Sequence, residues 1–518
     1  MKESASRREF LADVGRGMLV VSLGASTATE LGLGPVRAGE SNERLTFGSL
    51  EPLVTLLQET LPDKLLPALV EKLKQGTDLK TLVSAASLAN ARAFGGQDYT
   101  GYHTFMALAP AYHMARRLPD NRRPLPVLKV LYRNSSRIQE RGLQHDDTLH
   151  PVEAVEGLVS EQRGEWLRDA VRAADWQVAE ARFAALAKGE PGEAFNHLQF
   201  TVQDEVDVHR VVLAWRAWAM LELAGAEYAH TLLRQSVRYC LEVEQSLRNH
   251  NRSGSPIRQL LPRLLEEYRL TSVPLGTRKA DDAWVEQLAQ VVFAGTRKEA
   301  AEAVAAALAE GFDPEAVGEA ISLAANKLVL HDPGRRPEYS SPQKPPGCVH
   351  GDSVGVHASD AANAWRNIAR VSNRRNKVAS LIVGAFHTAG QTAWVTKEPY
   401  PFAERLGDIR TSNASALLAQ TEEAIRANDQ ARACALVYRY GQLGYAPEPV
   451  FDLLLKYAVS EDGALHAEKY YRTVTEEFAT TRPAFRWRQL VALARVTASE
   501  YGFPAPGYAQ ACELLGLS

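Results

Sequence analysis

Four times along the chain an acid is followed five residues later by a histidine: Asp98/His103, Asp204/His209, Asp352/His357 and Glu461/His466. Neutral imidazole ligates zinc, iron and copper, and a carboxylate is a common partner that fixes its tautomer. Several such pairs brought together would make a zinc or non-haem iron centre. The expected site is therefore Asp98, Asp204, Asp352 and Glu461 as catalytic carboxylates, with His103, His209, His357, His466 and His350 as metal ligands. His350 enters because Cys348-Val349-His350-Gly351-Asp352 sets a thiol and a second imidazole beside the third pair, the richest of the four. The fourth pair is the weakest, since Glu replaces Asp and its spacer glycine is shifted by one. The same pairs could instead lock a loop onto a helix, and the pattern leaves both readings open.

Five positions on a continuous helix lie about 140° apart, so acid and histidine would not share a face. The spacers resolve this with a helix breaker at Gly101, Gly355 or Gly463. The spacing thus predicts an acid on a loop or near an N-cap and a histidine in the first helical turn. There the helix dipole disfavours imidazolium and keeps the ring neutral.

The elements that must position these pairs repeat with them. Before each comes a helix–glycine–helix pattern: Leu69…Gly76…Leu88, Ala181…Gly189…Leu198, Ala301…Gly311…Leu323 and Ala433…Gly444…Leu455. After each histidine apolar residues fall at +4 and +8, as in Ala107/Ala111, Leu213/Ala217, Ala361/Trp365 and Tyr470/Val474, so each histidine heads a core-facing stripe. A further helix follows at about 124–138, 226–244, 376–391 and 484–500. The fold expected is all-α, with four imperfect helical repeats of three to four helices each, packed as a compact or curved array. Their bounds are 39–160, 161–275, 276–405 and 406–518, and the third carries a Pro-rich insertion at 332–350. An extended solenoid would hold the first and last repeats apart and keep their histidines from meeting.

Residues 1–38 read as an export signal: Ser6-Arg7-Arg8-Glu9-Phe10-Leu11 resembles the twin-arginine signature, a short apolar stretch follows, and Val36-Arg37-Ala38 offers a cleavage site. The expected destination is the periplasm or the exterior, reached through the twin-arginine machinery, which carries folded and often cofactor-loaded proteins. No later stretch reaches 18 apolar residues, so no membrane insertion of the mature chain is expected. With 59 Lys+Arg against 62 Asp+Glu in 518 residues, and a net charge of −3, there is no electrostatic case for nucleic acid. Cys240, Cys348, Cys434 and Cys512 form no Cys-x-x-Cys motif, and no disulfide essential for folding is expected. Phosphate-loop, dinucleotide, nucleophile-elbow and His-Glu-x-x-His motifs are missing from the sequence.

Gly101-Tyr102-His103-Thr104-Phe105-Met106 through Leu118-Pro119 resembles uncharacterised exported helical proteins of planctomycete type. Leu149-His150-Pro151 with Glu156-Gly157, and Val356-His357-Ala358 through Ala364-Trp365, are similar to motifs of the questin oxidase-like family. That second resemblance implies an all-helical oxygenase acting on a small molecule. The expectation is an exported, metal-dependent, oxygenase-like enzyme with Fe or Zn. A non-catalytic scaffold binding a ligand or protein partner, and a Zn-dependent hydrolase, stand as alternatives.

Overall fold

The computed structural model describes residues 44–142, 148–155 and 163–517. The export signal, His145-Asp146-Asp147 and Glu156-Gly157 lie outside them. Among the described residues there are 23 α-helices and no strand, so the chain is all-α.

Short polar caps and left-handed residues set the helix bounds. Asp78 Oδ1 accepts from the Thr81 N–H at 2.7 Å, and Thr296 and Glu299 form a reciprocal capping box. Gly76, Gly311 and Gly444 hold φ of +95°, +83° and +75° between paired helices, a conformation that costs a β-carbon-bearing residue more.

The helices fall into four quintets. The first contains α1 Glu51–Glu59, α2 Pro62–Lys74, α3 Leu79–Phe94, α4 Tyr99–Ala115 and α5 Pro124–Arg141. The second contains α6 Arg163–Arg172, α7 Trp176–Leu186, α8 Pro191–Val202, α9 Val208–Ala224 and α10 Ala229–Asn249, after which α11 Ile257–Glu267 serves as a connector. The third contains α12 Asp282–Ala294, α13 Arg297–Ala309, α14 Pro314–Leu330, α15 Val354–Val371 and α16 Arg374–Thr388, followed by the short α17 Ala403–Gly407. The fourth contains α18 Ala414–Arg426, α19 Gln430–Gln442, α20 Glu448–Ser460, α21 His466–Thr480 and α22 Trp487–Glu500, and α23 Tyr508–Leu514 ends the chain.

One packing pattern recurs in every quintet. The first helix packs on the third, the second on the fifth, and the third, fourth and fifth pack on one another. Five helices rather than three or four make up each quarter, because junctions without proline divide what reads as one helix in sequence. Ala174 (φ 48°) separates α6 from α7, Thr296 caps α13 directly after α12, and Gly225 (φ 112°) separates α9 from α10.

The fourth helices, α4, α9, α15 and α21, are each packed against the next, and α21 returns to α4. They form a closed central ring, and the other helices surround it. α4 is buried on nearly all sides, as a helix enclosed by others must be. The first and fourth quintets are joined by α23, which packs on α2 and α5, and by Lys129 of α5. The Lys129 ammonium donates to the Ala458 carbonyl at 2.9 Å and pairs with Glu468 of α21 at 2.7 Å, both side chains being buried. All four cysteines are free.

Candidate functional site

Every central helix brings a histidine to its N-terminal end. His103 is the fifth residue of α4, His209 the second of α9, His357 the fourth of α15 and His466 the first of α21. The four imidazoles meet on the axis of the ring. Successive centroids are separated by 4.8 Å (His103–His209), 5.6 Å (His209–His357), 5.2 Å (His357–His466) and 5.1 Å (His466–His103). The fourth pair's histidine, the weakest from sequence, belongs fully to this group: His466 Nε2 lies 3.1 Å from His357 Nε2.

Backbone carbonyls fix the tautomers. His103 Nδ1 lies 2.7 Å from the Tyr99 carbonyl and His466 Nδ1 lies 2.9 Å from the Ala464 carbonyl. A carbonyl can only accept, so in both rings Nδ1 carries the proton and Nε2 of the neutral ring is a bare acceptor. His209 Nδ1 faces Asp207 at 3.8 Å. The Nε2 atoms of His103 and His209 are buried with no protein hydrogen-bond partner, a costly arrangement for a polar atom left unpaired. Burial pushes all four basicities down, with Lys469 adding to the effect on each ring: His209 to about 4, His357 to about 3, and His103 and His466 well below the usual value. The ring is neutral at pH 7, as ligation requires.

Imidazoles bound to one ion through Nε2 at about 2.0–2.1 Å place neighbouring Nε2 atoms about 2.9–3.4 Å apart and ring centroids about 4.5–5.2 Å apart. The His357–His466 edge falls in this range, whereas the His209–His357 edge is wider. Among the described residues no group of three or more His, Cys, Asp or Glu side chains is placed to hold a metal ion. The rings are neighbours, but they are not closed around a point.

The acids of the four pairs face elsewhere, and none bonds to its own histidine. Asp98 does cap its helix, accepting from the Gly101 N–H at 2.7 Å, but its carboxylate pairs with Arg137 at 2.6 Å. Asp204 is bound by Arg172, with Nε at 2.6 Å, and by Arg258 at 3.7 Å. Asp352 pairs with Arg335 and with Lys344 at 2.7 Å. These two cations outweigh burial and hold its carboxyl far below the usual range. Glu461 accepts from the Gly502 and Phe503 N–H groups at 3.1 and 2.9 Å. In the first three pairs an arginine wins the carboxylate, since a guanidinium offers charge and a matched pair of donors where a neutral imidazole offers neither. His350 also lies apart. Its nitrogens bond Ser499 Oγ at 2.8 Å and the Gln343 carbonyl at 2.9 Å, and its ring packs on Phe503.

Other residues complete the site. Asp207, two positions before His209, caps α9 through the Arg210 N–H at 2.8 Å and accepts from the Tyr239 hydroxyl at 2.8 Å. Burial would raise its carboxyl, but His209, the Arg210 N–H and Tyr239 together hold it low. Tyr99 and Tyr102 stand against His103 at 4.3 and 5.1 Å and against His209 at 5.7 and 5.3 Å. One turn beyond the ring, Asp360 of α15 and Lys469 of α21 are buried. The signals for these were an Asp-x-His spacing and polar residues at +3, inside stripes that read as apolar. Leading into His466, Gly463, Ala464 and Leu465 hold φ of 47°, 50° and 64° in succession. A left-handed Ala or Leu costs roughly 1–2 kcal/mol, and here that conformation presents the Ala464 carbonyl to His466 Nδ1. His357 alone of the four is half-buried rather than buried.

The arrangement brings four neutral imidazoles together, and His357 and His466 stand close enough to share a proton. No family model matches the chain, and no curated protein or solved structure matches it.

Proposed function

We propose that the chain is an exported metalloenzyme in which His103, His209, His357 and His466 hold one transition-metal ion for oxygenase-like chemistry on a small molecule. The observation that carries this reading is the convergence of four neutral imidazoles, one per helix quintet, two of which, His103 and His209, have a buried Nε2 that no protein group satisfies. Ligation relieves that cost, and the carbonyls on Nδ1 of His103 and His466 supply the orientation that bound histidines ordinarily have. Between the two metals expected, iron suits oxygen chemistry better. Four imidazoles fill the tetrahedron of zinc and leave no position for substrate, whereas iron at higher coordination keeps open positions. The same reasoning weakens the hydrolase alternative, which needs a zinc-bound water. The similarity to questin oxidase-like motifs and the twin-arginine signature point the same way, toward an oxygenase exported after folding.

Within this reading the four histidines bind and orient the ion, Tyr99 and Tyr102 wall the site, and Asp207 steadies His209 as a positioning residue. The scaffold alternative rests on one observation, that among the described residues no group of three or more His, Cys, Asp or Glu is placed to hold a metal ion. Elemental analysis of protein purified from its exported compartment separates the two. One equivalent of iron per chain, lost in His357→Ala, is the expected result. Wild-type protein without stoichiometric metal removes the enzyme reading. Replacing Arg7 and Arg8 by Lys should retain the precursor in the cytoplasm, and unchanged export would remove the compartment.

A further inference from the structure

Away from the histidine ring, a hollow opens where the third quintet meets the fourth. Its volume is about 370 Å³, within the range of small-molecule sites, and no residue of the four acid–histidine pairs lines it. Its walls are apolar and aromatic: Leu330 at the end of α14, Tyr400 and Pro401 in the segment after α16, Leu406 of α17, Tyr438 of α19 and Val491 of α22.

The C-terminus of α14 fixes the shape of this hollow. A helix end leaves carbonyls without intrahelical partners, and here four successive ones, Val329 to Asp332, are held by distant groups. The Leu330 and His331 carbonyls accept from the Tyr400 and Thr396 N–H groups, both at 2.8 Å, and His331 Nδ1 donates back to the Thr396 carbonyl at 2.9 Å. Arg495 donates to the Val329 and Asp332 carbonyls, and its guanidinium lies 3.8 Å from the centre of the Tyr400 ring. The Tyr400 wall is therefore in place before any ligand arrives.

One part of the lining is charged. Lys327 Nζ pairs with Glu286 Oε1 at 2.7 Å, and Arg488 Nη1 donates to Glu286 Oε2 at 2.6 Å. Burial would raise the Glu286 carboxyl, but the two cations hold it below its usual range. Each of its oxygens already holds a cation, so a cationic ligand finds no free carboxylate. Among the described residues Arg488 spends only Nη1 on a protein acceptor, and its side chain remains 32% exposed. Two cations against one carboxylate line the hollow, and the unspent groups are guanidinium donors.

We propose that this hollow is a second binding site, for a small aromatic carboxylic acid, with the ring against Tyr400 and Tyr438 and the carboxylate on Arg488. A flat ring suits aromatic and proline walls, and a carboxylate matches the guanidinium fork. The assignment holds or fails without the metal centre.

2-Naphthoate is the probe, titrated calorimetrically into the full chain. One naphthoate per chain is expected, with the same affinity before and after chelation of metal. Acetate, which lacks the ring, and naphthylmethylammonium, which reverses the charge, should each bind at least tenfold more weakly. Arg488→Met should weaken naphthoate at least tenfold. Leu406→Trp fills the hollow from the short α17 without touching an ion pair, so it should cause a similar loss with a melting temperature near wild type, even if Arg488→Met does not fold. No binding by wild type, equal binding of the ammonium analogue, or unchanged affinity in folded Arg488→Met or Leu406→Trp would overturn the assignment. Loss of naphthoate binding on chelation would also overturn it, since the probe would then sit at the metal.

Discussion

The inner ring of histidines and the outer collar of acid–arginine pairs arise from the same stretches of sequence and behave oppositely. Asp98 and His103 are five residues apart, yet the carboxylate turns outward to Arg137 while the imidazole turns onto the axis. Asp204 and His209 divide in the same way, with Arg172 and Arg258 outside. The collar is saturated: each acid has more than one donor and each contact is local to its part of the fold. The ring is unsaturated, with lone pairs at His103 and His209 that have no partner. His350 sharpens the contrast, because both of its nitrogens are occupied by protein groups. His350 is thus held by two protein partners, whereas His103 has one, the Tyr99 carbonyl, and an Nε2 that no protein group meets.

If that contrast is sound, the largest effect belongs to the ring. His357→Ala and His466→Ala should each reduce bound metal from one equivalent to none, and the double variant should be no worse than either single. Metal content by mass spectrometry decides it. Partial occupancy in the singles with additive loss in the double would mean that the histidines act separately in their own quintets.

The second effect is on stability against pH, measured by melting the metal-free chain. The folded-state basicity of the buried His103, His209 and His466 is depressed by burial, so below the ordinary pKa of about 6.5 the unfolded chain binds more protons than the folded one. Their contribution is fully present above that value and is lost as the pH falls from about 6.5 toward 4. The loss approaches about 1.4 kcal/mol per histidine for each pH unit in that window. A melting temperature flat from pH 7 to 4.5 would mean the rings are not neutral and buried.

Much of this was legible in the sequence. The all-α class was legible, and the breaks at Gly76, Gly189, Gly311 and Gly444 and the helices near 124–138, 226–244, 376–391 and 484–500 are where the pattern placed them, because capping chemistry and helical periodicity are local. The division of 164–188 into α6 and α7 was not legible, since Ala174 adopts a left-handed conformation with no glycine to signal it. Convergence of the histidines was not legible either. It depends on α21 returning to α4, and that closure rests on α23 and on Lys129 reaching Glu468 across some 340 residues of sequence. The choice of Asp204 over Asp207 as the partner of His209 follows from the same limit. A fixed spacing suggested the former, but Arg172 and Arg258, distant in sequence, claim it.

A third expectation concerns the collar. Asp204→Ala leaves Arg172 and Arg258 without their carboxylate, and because both guanidiniums are partly solvated the cost is about 1–3 kcal/mol. Denaturant melts of the metal-free variant should show this cost, while the folded fraction should bind metal as wild type does. Loss of metal from a folded Asp204→Ala protein would make the collar part of the site.

The smallest effect expected is at Asp98, and it is the most exacting check on the separation of ring from collar. Asp98 serves two local purposes, capping α4 at the Gly101 N–H and pairing with Arg137, while His103 stands one turn farther along the same helix. Losing the cap costs about 1 kcal/mol, and losing a partly exposed ion pair adds less than that. Asp98→Asn keeps an acceptor for the cap and removes only the charge, so it should cost less than Asp98→Ala. Neither should alter metal stoichiometry, because His103 is held by the Tyr99 carbonyl within the helix rather than by the carboxylate. If Asp98→Asn instead lowers metal affinity tenfold with stability unchanged, the acid does act through its histidine and the two regions are one.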